Sequence, residues 1–149
     1  MSYDERFMKK AMALAKKAYE KDEVPVGAVI VRDGLVLASA FNKRESSFDA
    51  TSHAEILAIR KACKKLKDFR LIGCEMYVTL EPCVMCTGAI LNSRIENVYF
   101  GAYISNGSIS AEELSNRAEL NHKTNFFGGY FEKENSELVT KYFKEKRKK

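Results

Sequence analysis

The stretch of sequence that decides the fold is Glu75-Met76-Tyr77-Val78-Thr79-Leu80-Glu81-Pro82-Cys83-Val84-Met85-Cys86. Its first half, residues 75–80, alternates in character and predicts a β-strand. Pro82 suits the first position of a helix, so the second half predicts a helix over residues 83–92. A strand that runs directly into a helix is typical of a layered α/β fold.

The rest of the chain continues this alternation of helices and strands. The spacing of apolar residues predicts helices over residues 3–21, 53–66, 111–117 and 132–146. Apolar runs predict strands over residues 26–31, 35–40 and 98–102, with an edge strand over residues 126–131. Residues 42–51 and 103–110 are predicted to be loops, and Ser2 with Glu5 is predicted to cap the first helix. We therefore expect helices on both faces of one sheet.

Length and charge limit the class of protein. A chain of 149 residues with 46% hydrophobic content is predicted to form a single globular domain over residues 1–149. No apolar run is long enough for a membrane span and the N-terminus lacks a signal sequence, which predicts a cytoplasmic protein without a membrane partner. Residues 141–149 hold six basic residues and one acidic residue, which equals the whole net charge of +5. This basic helix and tail (132–149) favour a polyanionic partner, although a solvated terminus has the same composition.

Two short motifs carry the clearest chemistry. His53 and Glu55 form a His-x-Glu motif, and Cys83 and Cys86 are spaced so that both thiols share one face of a helix. Zinc binds imidazole and thiolate readily, and three protein ligands leave a fourth position for water, as in catalytic sites. His53, Cys83 and Cys86 are therefore predicted to bind Zn²⁺, and Glu55 is predicted to move protons. The combination of His-x-Glu with Pro-Cys-x-x-Cys is typical of zinc-dependent nucleobase deaminases.

Each motif alone has a plainer interpretation. A Cys-x-x-Cys motif also fits redox or structural zinc sites. Ser52 and Glu55 have the spacing of a capping box, so Glu55 could merely close a helix end. Cys63 and Cys74 lie among apolar residues and are predicted to be core residues, and His122 is predicted to have a core or loop role.

Longer stretches resemble the bacterial tRNA-specific adenosine deaminase family. These are residues 23–28, Asn42, residues 49–55, 77–86 and 93–95, and the pair Asn121-His122, so the likeness covers nearly the whole chain. The resemblance implies a three-layer α/β/α sandwich with a mixed central sheet of about five strands, the cytidine deaminase-like fold. It also implies a zinc-dependent homodimer that converts the wobble adenosine of a tRNA anticodon loop to inosine.

The resemblance further implies roles for single residues. It implies that the substrate-binding residues are Asn42, Val26, Gly27, Ala54 and Pro82, with Asn42 bonded to the flipped nucleotide. It implies that the RNA-binding residues at the basic end are Tyr142, Phe143, Lys144 and Arg147. From the residues alone, Asn42 is better explained as a turn residue after a strand, and Phe143 fits a core position equally well.

One region departs from the family pattern. Ile104 stands where the family has an acidic residue, and the loop over residues 103–110 contains no lysine. An isoleucine cannot accept a hydrogen bond from a ribose hydroxyl, so this loop leaves other substrates open. The alternatives are a deaminase of a free base or nucleoside (guanine, cytosine or cytidine), a deaminase of single-stranded DNA, and a non-catalytic zinc module that binds RNA.

Overall fold

A computed structural model describes residues 2–104, 109–117 and 122–147 of the protein. Within these residues the strands are β1 (Gly27–Arg32), β2 (Leu35–Phe41), β3 (Cys74–Leu80), β4 (Asn97–Ala102) and β5 (Asn125–Phe127). The helices of the same residues are α1 (Glu5–Glu20), α2 (Arg44–Ser47), α3 (Ala54–Leu66), α4 (Val84–Asn92), α5 (Ala111–Ser115) and α6 (Glu132–Arg147). None of these helices is both long and apolar enough to cross a lipid bilayer.

The strands form one mixed sheet in the order β2-β1-β3-β4-β5. β1 pairs antiparallel with β2 and β3, whereas β4 runs parallel to β3 and to β5. The predicted mixed sheet of about five strands is therefore confirmed. Because β3 and β4 are parallel, their carboxyl ends meet at one edge of the sheet, where α4 follows β3 and the loop to α5 follows β4. Ligand sites of open α/β sheets commonly lie at such an edge.

Helices cover both faces of the sheet, as predicted. On one face, α3 packs its small residues Ala54, Ala58 and Ala62 against the sheet. Ile90 of α4 and Ile95, which lies after α4, belong to the same core. On the other face, α1 packs Phe7, Met8 and Ala11 against Val29 and Tyr77. Successive strand residues point to opposite faces, so β1 serves both cores with a continuous apolar run. These layers form the three-layer α/β/α sandwich.

Close packing fixes the position of α1. A Cβ atom on Gly27 would lie 2.1 Å from the carbonyl oxygen of Ala11 and 2.7 Å from Cβ of Leu14. Only glycine allows the first residue of β1 to approach the backbone of α1 this closely. Gly27 therefore has a packing role on the α1 face of the sheet, and its predicted place in the base pocket stays a prediction.

Three local predictions differ from the structure. Asp4 caps α1, since its side chain accepts a hydrogen bond from the backbone N–H of Arg6, so the Ser2–Glu5 capping box is wrong. The predicted loop at 42–51 contains the short helix α2. β5 ends at Phe127, because Gly129 has a φ of 97° and the chain turns there. The predictions for residues 105–108, Asn121, Lys148 and Lys149 lie outside the described residues.

Candidate active site

The two metal-ligand motifs meet at helix N-termini. His53 is the N-cap of α3 and Cys83 is the N-cap of α4, and neither uses its side chain to cap its helix. Ser52 does not form the capping box, because its hydroxyl donates to Asp49 Oδ2 instead. The imidazole of His53 and the thiol of Cys83 are therefore free to serve as ligands.

The separations among the three candidate ligands fit a tetrahedral metal. Nδ1 of His53 lies 3.7 Å from Sγ of Cys83 and 3.5 Å from Sγ of Cys86. A zinc ion about 2.0 Å from nitrogen and about 2.3 Å from sulfur, with tetrahedral angles, places those two atoms about 3.5 Å apart. All three ligand atoms lie within 4.8 Å of one another. The geometry and the donor set both suit zinc.

The two thiols of the site differ in acidity, because their mutual hydrogen bond lowers the pKa of Cys83 and, together with burial, raises the pKa of Cys86. A hydrogen bond from the Cys86 thiol, together with the contact to His53, lowers the pKa of Cys83 to about 4. Cys83 is thus the thiolate of the pair, and thiolate is the form that binds metal. The contact with Cys83 raises the pKa of His53.

Glu55 lies at the floor of the site, on the first turn of α3. Its side chain is only 3% exposed. Burial, with a further contribution from the nearby Cys83, raises the pKa of Glu55 from its usual 4.5 to about 7. A carboxyl group with a pKa near neutrality can both accept and return a proton, which is the property a general acid–base catalyst needs.

Asn42 links the end of β2 to the start of α3. Its buried side-chain oxygen accepts a hydrogen bond of 2.7 Å from the backbone N–H of Ala54. Asn42 therefore satisfies one of the free N–H groups at this helix end, in addition to lining the cavity described below. Ala54 contributes through this backbone contact rather than through the cavity wall.

An open cavity of about 540 Å³ lies above Glu55 and His53. Four elements or loops contribute its walls: the segment before β1, α2, the residues after β4, and α6. The wall residues from these segments include Val26, Arg44, Tyr103, Ile104, Phe143 and Arg147. Val26 thus lines the cavity, and its contact with a base stays a prediction. Pro82 lies beside the cavity and is buried, with its carbonyl accepting a hydrogen bond from Thr87.

The basic C-terminal helix divides into two faces. Tyr142 is 5% exposed and its hydroxyl donates to the carbonyl of Asp22, so this ring attaches α6 to the end of α1. Its RNA contact stays a prediction, and its burial gives it a structural role. Phe143 is 44% exposed and, with Arg147, lines the cavity, whereas Lys144 lies on the outer side of the helix.

Three predictions outside the cavity agree with the structure. Cys74 is buried in the core, and Cys63 is half-buried against it. His122 has a structural contact, since Nε2 lies 3.0 Å from the carbonyl oxygen of Ile95.

Two acidic residues were missed by the sequence analysis. Glu23 accepts hydrogen bonds from the backbone N–H groups of Glu45 and Ser46, at the start of α2. Glu81 accepts from those of Ile104 and Ala111, on the loop that follows β4. Both carboxylates are buried, and each holds a segment that carries a wall of the cavity.

This fold and this site define a class of zinc-site deaminases. Residues 1–102 match the family model for the cytidine and deoxycytidylate deaminase zinc-binding region. The chain is 45% identical to the tRNA-specific adenosine deaminase of Bacillus subtilis, over all of this chain and 94% of that protein. It is 46% identical to the tRNA-specific adenosine deaminase of Aquifex aeolicus, over 96% of this chain and 95% of that protein. The chain belongs to the tRNA-specific adenosine deaminase family.

Solved structures agree with this assignment. A structure from a study of A-to-I editing by tRNA:A34 deaminases at the wobble position has a TM-score of 0.86 and 41% identity, and covers 91% of this chain and 99% of its own. A guanine deaminase from Bacillus subtilis has a TM-score of 0.67 and 34% identity, over 85% of each chain. The fold is therefore shared with enzymes whose names differ in the base they act on.

Proposed function

We propose that this protein hydrolytically deaminates the wobble adenosine of a tRNA anticodon loop to inosine. The observation that carries the proposal is the placement of Glu55 beside the three-residue metal site, at the floor of a cavity that opens to solvent. Support also comes from the family to which the chain belongs, whose curated members align over nearly its whole length.

In the proposed reaction, His53, Cys83 and Cys86 hold a zinc ion. Bound zinc supplies one piece of chemistry, a lowered pKa of a coordinated water molecule. Glu55 accepts the proton of the attacking water and transfers it to the ring nitrogen N1 as oxygen bonds to C6 of adenine. A second proton, from the new hydroxyl, passes through Glu55 to the exocyclic amine, the C6–N bond breaks, and ammonia leaves. Glu55 ends the cycle ionised, as it began.

The cavity walls suit a nucleotide that is flipped out of the base stack. The side-chain oxygen of Asn42 is committed to Ala54, so its amide nitrogen is the group left to donate to a substrate. Phe143 offers an exposed ring for stacking, and Arg44 and Arg147 supply positive charge on two sides of the opening. Stacking on aromatic rings and contacts from basic side chains are typical of proteins that bind single-stranded RNA loops.

A second candidate function has one specific observation in its favour. Ile104, an apolar residue, lines the cavity where the family pattern has an acid. An apolar wall offers no hydrogen-bond acceptor to a ribose hydroxyl. The alternative substrate is therefore a free base such as guanine, a nucleoside or single-stranded DNA. The third possibility, a zinc module that only binds RNA, is separated from both by the release of ammonia.

The decisive experiment incubates the zinc-loaded protein with an anticodon stem-loop that carries a wobble adenosine. We expect inosine at that position and equimolar ammonia. Deamination of guanine or cytidine without any inosine in the stem-loop would instead establish the second candidate. RNA binding without ammonia from any substrate would leave a binding module. A stem-loop with guanosine at the same position is the matched control.

We also propose that the protein is a homodimer that associates through α4. The segment Val84–Asn92 contains no charged residue, and Val84 and Met85 are exposed on its outer side. A Cβ atom added to Gly88 on this helix would meet only open space. Gly88→Arg should therefore leave the fold intact yet place a charge in the contact, and we expect a monomer by light scattering, with Gly88→Ala as the dimeric control. A dimeric Gly88→Arg protein would exclude α4 from the interface.

A cytoplasmic location is part of the same proposal. Cys83 and Cys86 are free thiols in the metal site, and Cys63 and Cys74 are free as well. Thiolate ligands persist in reducing compartments. Fractionation of cells that express the tagged protein should recover it with tRNA in the cytoplasm.

A further inference from the structure

Glu81 is a buried carboxylate at the carboxyl edge of the sheet, between the end of β3 and the metal ligand Cys83. Its side chain is only 6% exposed. Oε1 accepts a hydrogen bond of 3.1 Å from the N–H of Ile104, and Oε2 accepts one of 3.0 Å from the N–H of Ala111. Its own N–H donates to the carbonyl of Ala102 at 2.8 Å. Three bonds thus connect this one residue to both ends of the loop after β4.

This loop forms one wall of the cavity. Tyr103 and Ile104 both line the cavity, and Ile104 is directly anchored by Glu81. Ala111 begins α5, so the second bond also satisfies a free N–H group at that helix end. Both carboxylate oxygens are occupied by backbone donors. Glu81 is therefore held by the loop backbone at the edge of the cavity, which suits it to position the loop.

We propose that Glu81 is a positioning residue that holds the Tyr103–Ile104 wall against the bound nucleotide and so determines the affinity for substrate. The catalytic groups stand on α3 and α4, whereas the wall that Glu81 holds belongs to the loop after β4. Loss of the anchor should accordingly weaken binding while leaving the metal site and Glu55 in place. The expected change in substrate affinity rests on the proposed function.

The conservative variant Glu81→Gln breaks the anchor at one end. A glutamine side chain has one acceptor oxygen, and its amide nitrogen would face a backbone N–H, which leaves one buried donor without a partner. Such a loss corresponds to roughly a tenfold change in an equilibrium constant. We expect KM for the anticodon stem-loop to rise about tenfold, kcat to change by less than about threefold, and the zinc content to stay the same.

A matched control exists at the opposite end of the same strand. Glu75 is also a buried carboxylate, and Oε2 accepts hydrogen bonds from Asn97 Nδ2 and from the hydroxyl of Tyr99, far from the cavity. Glu75→Ala, which leaves both of these buried donors without their acceptor, should lower the free energy of unfolding without changing KM. Equal increases of KM in Glu81→Gln and Glu75→Ala would show that general destabilisation, not positioning, is the cause.

A second measurement does not depend on catalysis. Hydrogen exchange of the substrate-free, zinc-loaded protein should be about tenfold faster in Glu81→Gln than in wild type at one of the two anchored amides, the Ile104 or Ala111 N–H that faces the glutamine nitrogen. Unchanged exchange at both amides overturns the proposal, as does a loss of zinc or kcat at constant KM, which would mean that Glu81 acts on Cys83. If the wild-type protein forms no inosine, the proposed function fails, and the exchange result still decides whether Glu81 anchors the loop.

Discussion

Replacing Glu55 by glutamine should remove turnover and, at the same time, stabilise the metal-free protein. Glu55 is 3% exposed, and burial raises its pKa from 4.5 to about 7. One pKa unit corresponds to about 1.4 kcal/mol, so the ionised side chain costs the folded state about 3 kcal/mol above pH 7. Glutamine keeps the size of the side chain and cannot ionise, so it avoids this cost.

The sign of the effect fixes its pH dependence. Between the unfolded pKa of 4.5 and the folded pKa of about 7, the folded state holds a proton that the unfolded chain has lost. The contribution of Glu55 to stability is therefore fully present below pH 4.5 and is lost as the pH rises through 7. Glu55→Gln should match wild type near pH 4.5 and exceed it by up to about 3 kcal/mol near pH 8.

Urea unfolding of chelator-treated protein at about pH 5 and about pH 8 measures this difference directly. The control is Glu75→Ala, which removes the acceptor of the hydrogen bonds from Asn97 and Tyr99 and should be less stable than wild type at both pH values. A Glu55→Gln protein that is no more stable than wild type at pH 8, or that shows the same gap at both pH values, would refute the reasoning. In the zinc-loaded variant, kcat should fall by at least about 100-fold at unchanged zinc content, because general acid–base catalysis contributes that much.

Three further predictions concern the cavity and its support. Ile104→Asp should raise kcat/KM for the ribose stem-loop relative to its deoxyribose counterpart by about tenfold, and an unchanged ratio would show that this wall does not meet the sugar. Phe143→Ala should weaken stem-loop binding, measured by fluorescence anisotropy, by about 1–3 kcal/mol through lost stacking, whereas Lys144→Ala on the outer side of α6 should cost less; equal losses would contradict the two-faced helix. Gly27→Ala should destabilise the fold by about 1–3 kcal/mol in thermal unfolding because its Cβ meets the backbone of Ala11, while kcat of the folded fraction stays within about twofold. A loss of kcat without loss of stability would place Gly27 in the base pocket.

The metal site could be predicted from the sequence because its chemistry is local. Histidine and cysteine are rare enough, and their spacing short enough, that ligand type and helix geometry together identify His53, Cys83 and Cys86. The alternation of strands and helices predicted the layers for a similar reason, since each element carries its own hydrophobic period. The sequence could not predict which face of a helix or strand packs against residues that are distant in the chain.

The neighbouring aromatic residues of α6 illustrate that difference. Tyr142 and Phe143 are equally plausible as core or RNA-binding residues, because adjacent positions on a helix point about 100° apart and either could face inward. The choice is made by Tyr19 of α1, which packs edge-on against Tyr142, and by the Asp22 carbonyl that accepts its hydroxyl proton. Both partners lie more than a hundred residues earlier in the chain, so no local pattern records them.

Glu23 and Glu81 escaped prediction for the same reason, yet the sequence did hold a signal. Each adjoins an apolar segment, Glu81 between Leu80 and Pro82 and Glu23 directly before the run that begins at Val24. A carboxylate in such a position must either reach solvent or find donors, because an unpaired buried charge is costly. Here both find backbone N–H groups, Glu23 on α2 and Glu81 on the loop after β4 and the start of α5. Since Glu81 directly follows β3 and Glu23 stands between α1 and β1, the central layers position two walls of the substrate site through two side chains.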